Sequence, residues 1–395
     1  MKNSKFLFIV SFFAFLLFSC AKKEEAYFDP RGVEYAGAES CIQCHKTIHE
    51  NSFHTSHANA TAPASMKNVW GDFDSGKDVF AFDDHSKLVM ETRNDSLYQV
   101  LYKDGKEIRA YKLEIVFGAK HAQTSVYWKN NNTFELPISY YKSVHKWGTS
   151  PGFSTQTPLF DRKIVNDCYA CHSSNIGAKA KTTQESYLFG EDFEDFISKE
   201  TIVYGIDCER CHGPAKKHVD YHIKFPNMKE ARDIVSYKSL NNQQKLDACA
   251  ICHSGGDGIK IKSRFEFKPG DRLLDFYRQN VYSKNDVHGN QAGLLAQSQC
   301  FTKSETMNCT TCHNAHQNAS TDNISYSKIC MSCHQTANHT ETTKSKIVGK
   351  LKNDCITCHM PKQASNAIRF QLSNNPEYSK YYLNTHKIAI YPEVK

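Results

Sequence analysis

Apolar side chains are scarce in this 395-residue chain: 40% of its residues are hydrophobic and 23% charged, little for the two or three ordinary domains its length allows. A core of side chains alone is therefore not expected. Long apolar runs are missing as well. The stretch from Phe6 to Phe18, interrupted only by Ser11, is too short for a membrane-spanning helix. Nor is there a strong surplus of one charge. With Lys2 and Lys5 set aside, 47 basic residues face 42 acidic ones, and nothing points to a nucleic-acid partner.

What the chain has instead is cysteine. Of its 16 cysteines, 14 fall into seven copies of Cys-x-x-Cys-His, pairing Cys41 with Cys44, Cys168 with Cys171, Cys208 with Cys211, Cys249 with Cys252, Cys309 with Cys312, Cys330 with Cys333 and Cys355 with Cys358. The copies end at His45, His172, His212, His253, His313, His334 and His359. Random placement would give roughly 0.03 copies, so the pattern reads as c-type haem attachment. The physical reason is local. Two thiols at this spacing reach the two vinyl groups on one porphyrin edge, and the adjoining imidazole binds iron axially. Zinc knuckles, disulfides or redox pairs need no histidine after every pair. Seven c-type haems are expected, their apolar plates supplying most of the core. Their 14 propionates would carry the reduced holoprotein to a net charge near about −9.

The two other cysteines are Cys20 and Cys300. Lys2 and Lys5 precede the apolar run, and Leu17-Phe18-Ser19-Cys20 looks like a lipobox, which makes Cys20 the candidate lipidation site; ordinary secretion with cleavage nearby is the alternative. Both place the mature chain outside the cytoplasm, in the periplasm or at the cell surface, and the first holds it to the membrane by a lipid anchor alone. Cys300 reads as a buried, inert thiol, a redox or iron-binding role being the other possibility.

The expected organisation is a signal peptide over 1–19, a lipoprotein tether over 20–34, an N-terminal haem segment over 35–66, a β-rich insertion over 67–147, a six-haem array over 148–363 and a C-terminal tail over 364–395. In the insertion cysteine disappears. Alternating stretches read as strands at Lys87 to Glu91, Tyr98 to Tyr102, Ala110 to Val116, Thr124 to Trp128 and Thr133 to Ile138, with turns at Asn94-Asp95 and Asp104-Gly105. Helices are expected over Lys46 to Ala58, Glu191 to Val203 and Ser239 to Ala250. The fold class expected is α+β: a mainly α-helical and irregular multihaem array carrying the β-rich insertion between its first and second motifs.

Seven proximal histidines leave 12 others for at most seven sixth positions. His57 is preferred over His54 near the first motif, and His121 lies where a loop could bring it onto a haem. A helix running on from a motif carries a histidine three to six residues later only about 5 to 9 Å along the proximal side. His218, His316 and His339 therefore suit a neighbouring haem, His222 being the weaker member of its pair. His288 is a further candidate, and His386 in the tail another.

With these residues assembled, the chain resembles the cytochrome c-554 family and its larger multihaem relatives. The likeness lies in Ala36 to Ser40 before the first motif, Trp147 through Ser150-Pro151-Gly152-Phe153, Gly205-Ile206-Asp207 leading into Cys208 to Pro214, Phe267 to Asp271, Gln297 to Phe301, Cys355 to Pro361 and Thr385-His386. The resemblance implies that His57, His218, His316 and His386 are axial ligands, supports His121, and implies haem pairs like those of hydroxylamine oxidoreductase relatives. The tetratricopeptide repeats of some relatives have no counterpart.

Two functions follow. One is an extracytoplasmic heptahaem cytochrome carrying electrons between a membrane respiratory donor, quinol-linked or a redox partner protein, and an extracytoplasmic acceptor. The alternative is a multihaem oxidoreductase with one open iron, acting on a small nitrogen or sulfur compound; its catalytic residues and the oligomeric state are not legible. A structural zinc protein is the third and weakest reading.

Overall fold

The computed structural model describes residues 28–177, 197–255, 258–277, 286–335, 339 and 354–392. Cys20, the leader over 1–19 and the first half of the helix expected at Glu191 lie outside them.

The strands begin with β1 (Thr61–Pro63), β2 (Val79–Ala81), β3 (Ser86–Arg93), β4 (Ser96–Lys103) and β5 (Lys106–Lys112). β6 (Ile115–Phe117), β7 (Ala122–Lys129), β8 (Asn132–Glu135), β9 (Ile138–Tyr141) and β10 (Lys146–Thr149) follow. They form two antiparallel sheets, a four-stranded one in the order β2-β3-β4-β5 and a six-stranded one in the order β1-β6-β7-β9-β10 with β8 against β7. Local chemistry sets the hairpins. Asn94 (φ 47°) with Asp95 (φ 57°), and Asp104 (φ 49°) with Gly105 (φ 75°), are two-residue left-handed turns whose twist matches the strands they join. The sheets pack face to face through Phe80, Leu88 and Met90 of one and Ile138 and Trp147 of the other. Two expected strands are each broken in two. The first is interrupted at Leu113, which turns into the core; the second breaks at Leu136-Pro137, because proline has no N–H to give a ladder.

The expectation of a mainly α-helical and irregular array is overturned. Each longer helix, Ile42–Phe53 or Asn242–His253, has 12 residues, and antiparallel pairs also occur between the second and third motifs and after the seventh. These are β11 (Ser173–Asn175) with β12 (Val203–Tyr204), and β13 (Lys362–Gln371) with β14 (Tyr378–Asn384). So Val203 opens a short strand instead of closing a helix. The tail is ordered as a hairpin against the six-stranded sheet, Phe370 stacking on Tyr141 at 3.7 Å between ring centroids. The helices are short because the motifs stop them. After Cys208–His212, Gly213 (φ 78°) and Pro214 end the helix and a second starts at Lys216; after Cys309–Cys312 the chain is extended at His313 (φ −120°, ψ 140°). The continuous helix assumed for placing His218 and His316 is thus absent.

Among the described residues, no helix is long and apolar enough to cross a membrane.

Candidate haem-binding cavity

Three of the motifs begin where the sequence supplies a helix cap. Asp207, Asn308 and Asp354 stand immediately before Cys208, Cys309 and Cys355, and accept from the backbone N–H groups of Arg210 (2.9 Å), Thr310 (2.9 Å) and Thr357 (2.9 Å). Such a cap satisfies orphan donors of the first turn and so fixes the turn that brings both thiols to one side. The fourth motif ends a longer helix with its own capping box at Asn241 and Gln244.

All 14 motif cysteines and all seven motif histidines line one cavity of about 5480 Å³, and so do His57, His121, His218, His288, His316, His339 and His386. An ordinary ligand pocket holds about 300–1,000 Å³, and protein interiors are close-packed. A void of this size is a space for large apolar groups. Cysteines of different motifs lie near one another across it: Cys41 by Cys208, Cys171 by Cys252, and Cys249 by Cys309. The first and third, second and fourth, and fourth and fifth motifs are therefore adjacent.

The imidazoles are arranged in pairs. Ring centroids lie 6.4 Å apart for His45 and His218, 6.1 Å for His57 and His253, 6.1 Å for His212 and His316, 6.1 Å for His313 and His386, and 6.3 Å for His339 and His359. Two imidazoles on one iron stand about 6 Å apart, the sum of two metal–nitrogen bonds of about 2 Å and two ring radii. Every pair joins a motif histidine to a histidine from elsewhere in the chain. The interplanar angles run from 5° to 70°, as rotation about a shared axis permits.

The other ring nitrogens are engaged where this matters. Nδ1 of His218 donates to the Arg232 carbonyl (2.8 Å), Nδ1 of His359 to the Ala389 carbonyl (2.9 Å) and Nδ1 of His172 to the Ala60 carbonyl (3.3 Å), which leaves Nε2 with its lone pair free for a metal. His222 uses Nε2 itself, bonding the Glu230 carbonyl at 3.1 Å, and is taken out of contention. Burial pushes His57, His172, His212, His253, His313, His316 and His386 below the usual imidazole range, holding them in the neutral form that ligates metal. Arg210 and Arg264 line the cavity with buried Nε atoms that have no hydrogen-bond partner, donors suited to a carboxylate-bearing group. In size, donor set and unsatisfied arginine Nε donors, the cavity fits c-type haem.

The remaining histidines go elsewhere. His121 packs edge-on to Tyr381 at 5.5 Å and lies close enough to His288 for their charges to interact, as His288 does with His172. His85 bonds Asp104 at the exposed β3–β4 end of its sheet, His54 packs edge-on to Phe53, and His49 lies by Phe53 and Glu39. Cys300 opens onto the cavity near Cys312 and Cys330.

Sequence reasoning missed the clamp on the third motif. Glu209, one of the two variable residues between its cysteines, is buried and accepts from the backbone N–H groups of Ala36 (2.9 Å), Gly37 (2.8 Å) and Ala215 (2.7 Å). Arg31 joins it to Asp29 and Asp207. This fastens the chain ahead of the first motif to the third motif, and an acidic residue inside the motif was the only signal. Gly205 (φ 64°) makes a second close crossing, since a Cβ there would fall 1.9 Å from the Ala58 carbonyl oxygen; the Ile206 N–H then bonds the His57 carbonyl at 2.8 Å.

No protein-family model matches the chain, and no curated protein matches it. The likeness to the cytochrome c-554 family accordingly stands on the sequence motifs alone. Among solved structures, the fold is similar to that of the outer cell wall cytochrome OcwA, with a TM-score of 0.51 and 15% sequence identity over 86% of this chain and 79% of that one.

Proposed function

We propose that this protein is an extracytoplasmic seven-haem c-type cytochrome that carries electrons between a membrane donor and an extracytoplasmic acceptor. The observation that carries the reading is the convergence of all seven Cys-x-x-Cys-His motifs on one cavity, with five motif histidines each facing another imidazole at 6.1–6.4 Å. Bound haem supplies reversible one-electron iron chemistry. The chain's part is to attach each group through two thiols, to present His57, His218, His316, His339 and His386 from opposite a motif histidine, and to keep neighbouring motifs in contact. His121 and His288 are the candidates opposite His172. Ligation by two histidines favours low potentials, suited to the reducing end of a respiratory chain. Similarity of fold to an outer cell wall cytochrome favours a place outside the cytoplasm. A lipid on Cys20 would hold the protein at the membrane beside its donor.

Mass spectrometry of the full chain expressed with haem-maturation machinery tests the haem count: seven covalently bound haems are expected, and fewer would refute it. Redox titration of a His218→Met variant tests the ligand assignment. One haem should move to higher potential with the haem count unchanged, and an unaltered titration would remove His218 from the iron. Incorporation of labelled palmitate that is lost in Cys20→Ala checks the anchor.

A further inference from the structure

Every one of the chain's 19 histidines lies among the described residues, so the supply of distal imidazoles can be followed to its end. Five serve five motifs as above. His288 lies near His172, and His121 near His288. His222 spends its Nε2 on Glu230, His85 is tied to Asp104, His49 and His54 pack around Phe53, and His145 sits exposed in a left-handed turn between β9 and β10. None of the 19 faces His334. The sixth motif lines the same cavity as the others and closes the Asn323–Cys333 helix, which packs on the seventh through Asn323 and Ser327: the Ser327 hydroxyl accepts from the Cys355 N–H at 2.9 Å. It is built into the array against the seventh motif, and no second histidine stands near His334 as His288 stands near His172.

We propose that the haem attached through Cys330 and Cys333, with His334 as its proximal ligand, lacks a histidine on its other face and forms a binding site for a small exogenous ligand. The class is set by the chemistry of such an iron: molecules of two or three heavy atoms that donate a lone pair through carbon, nitrogen or sulfur, anionic ones to the ferric state and neutral diatomics to the ferrous state. This rests on the haem reading above and adds a binding site to it. Neighbouring motifs supply the route for electrons: Cys330 lies close to both Cys312 and Cys355. Cys300, also near Cys330, sits on the edge of this site without belonging to a motif.

The test uses the full chain with its haems. Low-temperature electron paramagnetic resonance of the oxidised protein, with spins counted against haem iron, should show one high-spin ferric signal per chain that cyanide removes. After reduction, carbon monoxide should bind one haem per chain. In His334→Met, mass spectrometry should still find every haem attached while the cyanide-sensitive signal changes; His85→Ala, away from the cavity, should leave that signal alone. If His334→Met does not accumulate, Cys333→Ala leaves the haem on one thioether and should shift the optical band of the haem that binds carbon monoxide, and of no other. A wholly low-spin spectrum indifferent to cyanide overturns the proposal, as does a thiolate-type low-spin signal lost in Cys300→Ser, or a high-spin signal untouched by the His334 and Cys333 variants. A shortfall of haem by mass would instead refute the seven-haem reading, so the two failures are separable.

Discussion

Two regions of this molecule are stabilised in opposite ways. The paired sheets from β2 to β10 bury Phe80, Leu88, Met90, Val100 and Ile138 with no exposed surface at all, and their backbone groups satisfy one another across regular ladders. The region of the motifs encloses a cavity of about 5480 Å³. Beside that cavity the side chains pack into a cluster of their own around the fourth motif, Leu246, Ala250, Phe267 and Phe276 among them. One region is close-packed throughout, and the other packs its side chains around a large open space. The scarcity of apolar residues is thus unevenly shared.

The comparison can be broken most severely by withholding haem. A chain made without haem attachment should lose amide protection through the Asn242–His253 helix while β3 and β4 stay protected, because the entropy of ordering the array is repaid by burial against the porphyrins. Hydrogen exchange read by mass spectrometry decides this, and a helix that stays protected would mean that the two regions do not differ in this way. On the other side, Phe80→Ala should cost about 3–5 kcal/mol in urea unfolding of the sheets, since the side chain is fully buried, with the haem absorbance unchanged in native buffer.

Glu135 lies on the seam between the regions. It is buried on β8, it lines the cavity, and Arg162 approaches its carboxylate at 2.6 Å. Burial outweighs the guanidinium and pushes the carboxyl from 4.5 up to about 7. The folded protein then holds a proton that the unfolded chain has released, so stability is highest below about pH 4.5 and falls as pH rises towards 7, by at most about 3 kcal/mol. Glu135→Gln should flatten that slope; urea midpoints compared across the window would show it, and an unchanged slope would clear Glu135 of the effect. The smallest effect belongs to the half-exposed network of Arg93 with Glu91 and Glu107. Arg93→Ala should move the urea midpoint marginally, and less still in high salt, because exposed ion pairs are screened.

How much was legible depended on the range of the interactions. The stretch from Lys87 to Glu91 could be read as a strand because Leu88 and Met90 stand two apart inside flanking Lys87 and Glu91, and β3 spans Ser86–Arg93 with those two buried. The turns at Asn94-Asp95 and Asp104-Gly105 were legible from residues that tolerate positive φ. The tail was not. Nothing local in Lys362–Gln371 or Tyr378–Asn384 announces a hairpin, which forms because Phe370 and Tyr381 find Tyr141 some two hundred residues away in the chain. The mainly helical array failed as an expectation for a related reason: a motif needs only one helical turn, and Gly213, Pro214 and the extended His313 stop each turn from growing.

By itself, then, the sequence marked the seven candidate attachment points, since two thiols and a histidine within five positions act on one another directly. Which imidazoles face each other was decided only by the tertiary structure. His45 meets His218, and His313 meets His386, across separations that no local pattern encodes. Those meetings depend on where the sheets, the Glu209 clamp and the C-terminal hairpin hold distant segments, and on which motif, as at His334, no distant histidine reaches.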